Sequence, residues 1–178
     1  MHDTQRVAIV TGASRGLGAV IAGVLAERGV DAHCLIIGGG SMLERNRRLA
    51  ARLGVANRVT FAGFVADVRA ILETADVFAF PAVEEGSGSL SVLEAMSAGA
   101  PMVVTAIDGL PEDLEHGTSA WLVPSQDPVA MADGLQHLLS DRQLARRLGD
   151  SARIAYQRKF SMAAMQRDVE ALLSTLAL

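Results

Sequence analysis

The sequence predicts a doubly wound α/β fold, a parallel sheet with helices on both faces. Short continuous apolar runs, the mark of strands buried on both sides, recur along the first two thirds of the chain. Amphipathic stretches with a period near 3.6 residues separate them, and the last third reads as helices only. A chain of 178 residues suits a single domain spanning 1–178, and neither a Gly/Ser linker nor a repeat of fixed period divides it.

Six strands are expected, at 7–11 (VAIVT), 32–37 (AHCLII), 59–62 (VTFA), 77–81 (VFAFP), 101–105 (PMVVT) and 120–123 (AWLV). Helical patterns lie between them at 17–28, 42–53, 68–74 and 89–98, with a short turn near 111–116. Strand and helix in strict alternation point to a Rossmann-like parallel sheet of order 3-2-1-4-5-6. Glycine-rich loops follow the first and fourth strands, where such a sheet reverses direction. In the helix at 42–53 the run Glu44-Arg45-Asn46-Arg47-Arg48, with Arg52, reads as a solvated face. Cys34 and Trp121 read as core residues. Beyond the sixth strand, helices are expected at 128–139, 141–159 and 161–176. Asp127 before Pro128 forms an N-cap, Ser140 is expected to cap the next helix, and Ser161 the last. The stripe Met162, Met165, Val169, Leu172, Leu173 and Leu176 needs cover, and the short helix connections predict that it folds down onto its own sheet. A monomer is therefore expected over a homodimer.

Composition removes several classes of function. Half of the residues are apolar and a fifth are charged, which excludes disorder. The net charge of −4 and an aromatic content of 4% leave no footprint for nucleic acid. No apolar run approaches the roughly 18 residues of a membrane span, and the start carries no apolar signal segment. A single cysteine points to a reducing cytoplasm. The histidines His2, His33, His116 and His137 lack metal-ligand spacing, so no metal site is expected.

The two glycine loops point in different directions. The first, Thr11-Gly12-Ala13-Ser14-Arg15-Gly16-Leu17-Gly18, has the form of a phosphate loop, with candidate contacts at Gly12, Ser14, Arg15, Gly16 and Gly18. Residues 5–29 resemble the dinucleotide-binding unit of short-chain dehydrogenase/reductases, where a basic residue at Arg15's place implies NADP. The catalytic Tyr-x-x-x-Lys of that family is missing: the only tyrosine, Tyr156, is followed by Lys159 at three residues. The second strand also ends on Gly38-Gly39-Gly40, which offers no side chain to an adenosine ribose. Dehydrogenase activity is not expected.

The second loop runs Glu84-Glu85-Gly86-Ser87-Gly88-Ser89 into Leu90-Ser91-Val92-Leu93-Glu94-Ala95-Met96 and ends at Gly99-Ala100-Pro101. With Ile36-Ile37-Gly38-Gly39-Gly40, Val59-Thr60-Phe61-Ala62-Gly63-Phe64, Ala75-Asp76-Val77-Phe78, Asp108-Gly109-Leu110-Pro111-Glu112 and Leu122-Val123-Pro124, it resembles the donor-binding domain of retaining GT-B glycosyltransferases of family 4. The likeness covers residues 30–178. It implies the C-terminal, nucleotide-sugar-binding half of an enzyme that works in a cleft between two Rossmann-like domains, so this chain alone would bind donor without completing transfer.

That resemblance implies a UDP-, GDP- or ADP-sugar as ligand, with no cofactor and no metal. Gly86 and Gly88 would admit the diphosphate to the N–H groups of Ser89 and Leu90, Glu94 would accept hydrogen bonds from the ribose hydroxyls, and Glu85 would meet the sugar. Glu85 and Glu94 enclose eight residues where the family has seven. Of the family's two cations against the leaving diphosphate, Arg15 alone has a counterpart. The change of resemblance near Gly29-Val30 leaves two origins, a natural domain with a converged loop or, favoured here, a recombined or engineered chimera, and two alternative functions beside donor binding: an NAD(P)-binding Rossmann module or an engineered chimeric scaffold without ligand or activity.

Overall fold

The computed structural model describes residues 6–11, 17–39, 41–84 and 89–176. Six strands form one sheet: β1 (Arg6–Thr11), β2 (Ala32–Ile37), β3 (Val59–Gly63), β4 (Val77–Phe80), β5 (Met102–Thr105) and β6 (Trp121–Val123). Their order is β3-β2-β1-β4-β5-β6 and every neighbouring pair is parallel. Between them run α1 (Leu17–Glu27), α2 (Leu43–Arg52), α3 (Arg69–Thr74), α4 (Leu90–Ala98) and α5 (Leu110–Asp113). The chain closes with α6 (Pro128–Ser140), α7 (Arg142–Lys159) and α8 (Met162–Leu176).

Alternate strand residues feed two cores, which is why the strand sequences are apolar throughout. Val77, Ala79 and Val103 join Cys34 and Ile36 beneath α1 and α6. Phe78, Phe80, Met102 and Val104 point the other way, beneath α3, α4 and α5. The α7 helix serves both layers, with Ala145 and Leu148 in the first and Ala152 in the second. Burial pushes the Cys34 thiol up to about 11, so it behaves as a small apolar side chain. Trp121 is half-buried, held between the rings of His116 and His137 at 4.7 and 4.6 Å. Among the described residues no helix is long and apolar enough to cross a membrane, and no three His, Cys, Asp or Glu side chains gather as a metal site.

Besides Asn46, expected on the solvated face of α2 but only 3% exposed, two expectations need correction. Ser140 does not cap α7. The α6 helix continues through it, its hydroxyl donates to the Gln136 carbonyl at 2.7 Å, and the cap falls to Asp141, whose carboxylate accepts from the Leu144 N–H at 2.9 Å. Asp141→Ala is expected to cost about 1 kcal/mol, read from urea melts, with Ser140→Ala near neutral. The caps at Asp127 and Ser161 do form, through Val129, Ala130 and Ala164 N–H groups.

The second correction concerns α8. It does not fold onto the sheet: Met162, Met165, Val169, Leu172, Leu173 and Leu176 are 47–75% exposed, and Ala164 is its one buried residue. Both core layers are built from the sheet and the helices before it, and α8 contributes a residue to neither. A chain ending at Phe160 is expected to melt within about 2–4 °C of the intact one, the change that about 1 kcal/mol produces at this size. Calorimetry on the two proteins checks this.

Candidate functional site

Parallel strands deliver their following loops to one edge of the sheet, and the helices begin there with unpaired N–H groups. Of the residues singled out in sequence, Gly12, Ser14, Arg15, Gly16, Glu85, Gly86 and Gly88 lie outside the described residues. Gly18 falls in the first turn of α1. Ser89, Leu90 and Glu94 come together along the first turns of α4.

Ser89 is 3% exposed, extended in backbone, and occupies the N-cap position of α4 without a side-chain cap hydrogen bond. The N–H groups of the first turn, beginning with the exposed Leu90, have no carbonyl one turn back within the helix. Their dipole favours an anion at this position. At its far end α4 stops on Gly99, whose left-handed backbone (φ 71°) lets its N–H and that of Ala100 close on the carbonyls of Met96 and Ala95.

Beside the start of α4 opens a cleft of about 360 Å³. Its floor is apolar, formed by Ile37, Leu72 and Phe78. Gly38 lines one side, Ser91 and Glu94 of α4 line another, and Phe64 and Val65 after β3 complete it. The Glu94 side chain is exposed and makes no hydrogen bond or ion pair with a described residue. The arrangement sets a carboxylate, a hydrogen-bond acceptor, above an apolar floor and beside the first turn of α4, whose N-cap residue Ser89 makes no side-chain cap bond.

Phe64 was not singled out as a site residue in the sequence, yet it is 85% exposed and forms a wall of this cleft. Its place depends on Gly63. The register between β2 and β3 shifts there, pairing Ile37 with Gly63, and the Gly38 N–H donates to the Gly63 carbonyl at 2.8 Å. Gly63 (φ 68°) and Gly38 (φ 123°) both adopt backbone conformations that side chains resist. A glycine directly after an apolar strand and before an exposed aromatic was the available signal.

Tyr156 and Lys159 form no catalytic pair: Tyr156 packs against the core beneath α4, and Lys159 is ion-paired with Asp113.

The sequence profile of the group 1 glycosyl transferases matches residues 10–141. That match begins within β1 and so takes in both glycine loops. The GDP-mannose-dependent alpha-(1-6)-phosphatidylinositol monomannoside mannosyltransferase of Mycobacterium tuberculosis is 38% identical over 136 residues, 71% of this chain and 35% of that protein. The crystal structure of Anabaena HepE with UDP-glucose superposes with a TM-score of 0.82 at 24% identity, covering 96% of this chain and 49% of that one. The C-terminal domain of a group 1 family glycosyl transferase from Francisella tularensis superposes at 0.72 with 23% identity, over 88% of this chain and 86% of that one. Both superpositions are likenesses of fold. The chain spans about a third of the length of the curated relatives it matches. With a profile match across most of its residues and a parallel sheet whose carboxyl edge carries the cleft, the chain belongs to the group 1 glycosyl transferases.

Proposed function

We propose that this chain is the nucleotide-sugar-binding half of a retaining GT-B glycosyltransferase. The observation that carries the reading is the juxtaposition of Glu94, the apolar cleft and the uncapped start of α4. In this reading Glu94 accepts hydrogen bonds from the ribose, the α4 N–H groups with Gly86 and Gly88 hold the diphosphate, Arg15 balances its charge, and Glu85 meets the sugar. The M. tuberculosis relative is named for GDP-mannose and the Anabaena protein was crystallised with UDP-glucose, so the ligand class is a nucleoside diphosphate sugar and the base is the open variable. The exposed face of α8 is the landing surface for the acceptor-binding half, without which transfer is incomplete.

The origin of residues 5–29 belongs to the same proposal. A family match that starts at residue 10 favours a member whose first loop has converged on the dehydrogenase form over a chimera joined near residue 29.

A thermal-shift panel tests the binding. At 100 times its dissociation constant a ligand stabilises by about 2.7 kcal/mol, or roughly 5–10 °C at this size. GDP, UDP or ADP is expected to give that shift, and NADP is not. A shift with NADP alone would replace this reading with a dinucleotide-binding one.

A further inference from the structure

Phe64 gives up burial that its neighbours in sequence take. It directly follows β3, yet it is 85% exposed, while the smaller Val65 and Val68 after it pack against the core beneath α3 and α4. Burial of a phenyl ring is among the larger contributions one side chain makes to folding, and here it is forgone. The backbone holds this arrangement: Gly63 (φ 68°) turns the chain at the end of β3, and its carbonyl accepts from the Gly38 N–H at 2.8 Å. The ring stands at the wall of the cleft whose floor is Ile37, Leu72 and Phe78. Phe78 is fully buried, so among the described lining residues Phe64 is the aromatic one open to solvent. Away from Ser91 and Glu94 of α4, the described lining side chains are all apolar, so that part of the cleft offers ring area and shape rather than side-chain hydrogen bonds.

We propose that Phe64 stacks on the base of the donor nucleotide and thereby ranks nucleotides by ring area, purine above pyrimidine. This rests on the donor-binding reading above and names the base class that reading leaves open. With the ribose at Glu94 and the phosphates at the start of α4, the base is left the far part of the cleft, between Phe64 and the apolar floor. A flat ring there has aliphatic side chains on one side and the phenyl ring on the other. Every base has a π-face, but a fused two-ring purine covers more of a phenyl ring than a pyrimidine does, and it removes more of the exposed Phe64 surface from water. Selection in this site is therefore by face and not by the hydrogen-bonding edge, so guanine and adenine are expected to behave alike.

The test is calorimetric titration of GDP, ADP, UDP and CDP into the wild-type chain, Phe64→Ala, Phe64→Leu, Phe64→Tyr and Glu94→Ala. The wild-type chain is expected to bind the two purine nucleotides about tenfold more tightly than the two pyrimidine ones. Phe64→Ala should weaken the purines about twentyfold and the pyrimidines about threefold, which shrinks the preference to less than about twofold. Phe64→Tyr keeps the preference, and Phe64→Leu, apolar without a ring, loses it. Glu94→Ala weakens all four by the same factor, because the ribose is common to them. Since Phe64 is exposed and belongs to neither core, its variants should leave Tm without ligand nearly unchanged. Should Phe64→Ala not fold, the leucine and tyrosine variants carry the same comparison. A wild-type chain that is indifferent to the base or prefers pyrimidines overturns the proposal, and so does equal weakening of all four nucleotides by Phe64→Ala. In either case binding that Glu94→Ala impairs leaves the donor-binding reading standing. If the wild-type chain binds none of the four, that reading fails and the stacking role falls with it.

Discussion

Gly149→Ala is expected to destabilise the protein by about 3 kcal/mol, at the upper end of overpacking effects, although alanine ordinarily favours a helix over glycine by up to about 1 kcal/mol. A Cβ on Gly149 would sit 2.2 Å from the Gly99 carbonyl oxygen, 3.1 Å from its carbon and 3.3 Å from the Pro101 nitrogen. All three are backbone atoms. Gly99 is fixed in the left-handed region by the closing hydrogen bonds of α4, and the Pro101 carbonyl accepts from Phe78 at 2.7 Å, so neither side can yield cheaply. Relief must come from α7 lifting away, which would uncover Leu148 and Ala152, both fully buried. A fall in Tm of roughly 6–12 °C is the expected result. An unchanged or raised Tm would mean that α7 can shift freely over α4. Gly134→Ala makes a useful contrast. Its new methyl would meet Trp121 Cδ1 at 2.6 Å and Val103 Cγ1 at 2.9 Å, side chains with more freedom to move, so the loss should be smaller.

Glu94→Ala is expected to weaken nucleoside diphosphate binding by about 1–3 kcal/mol, roughly five- to 150-fold, the usual loss when a charged hydrogen-bond acceptor is removed. Because Glu94 is exposed and makes no bond to a described residue, the substitution should leave Tm without ligand nearly unchanged. Glu73→Ala is the matching control. Glu73 lies at the opposite edge of the sheet, just before β4, where it pairs with Arg69 at 2.8 Å, and its loss should not alter nucleotide affinity. Calorimetry on the three proteins decides the matter, and equal affinities in all three would remove Glu94 from the site.

Local features were legible because they are written in covalent spacing. The N-cap at Asp127 with Pro128 behind it, and the cap at Ser161, needed only the identity of neighbouring residues. The error at Ser140 shows how narrow that margin is. One further residue of helix turned a cap into an interior hydroxyl and passed the role to Asp141, a choice made by packing of Leu138 and Leu139 in the core. The stripe on α8 was equally visible, but periodicity says only that a face is apolar. What lies opposite it depends on how the sheet and the earlier helices build the core layers, and here α8 contributes a residue to neither.

By itself the sequence determined the alternation of strands and helices, the glycine loops after the first and fourth strands, and a carboxylate, Glu94, in the second turn of a helix that begins at one of them. Only the tertiary structure decided what Glu94 faces. Ile37, Phe64 and Glu94 belong to three segments separated by crossover connections, and they meet because parallel pairing carries the ends of β2 and β3 to the edge where α4 begins. The same holds for Thr105, whose hydroxyl finds Ala82 across 23 residues of chain. Helical and strand periods act over a few bonds and can be read from neighbours. A cleft is set by the register and direction of strands distant in sequence, and those are fixed only when the whole core packs.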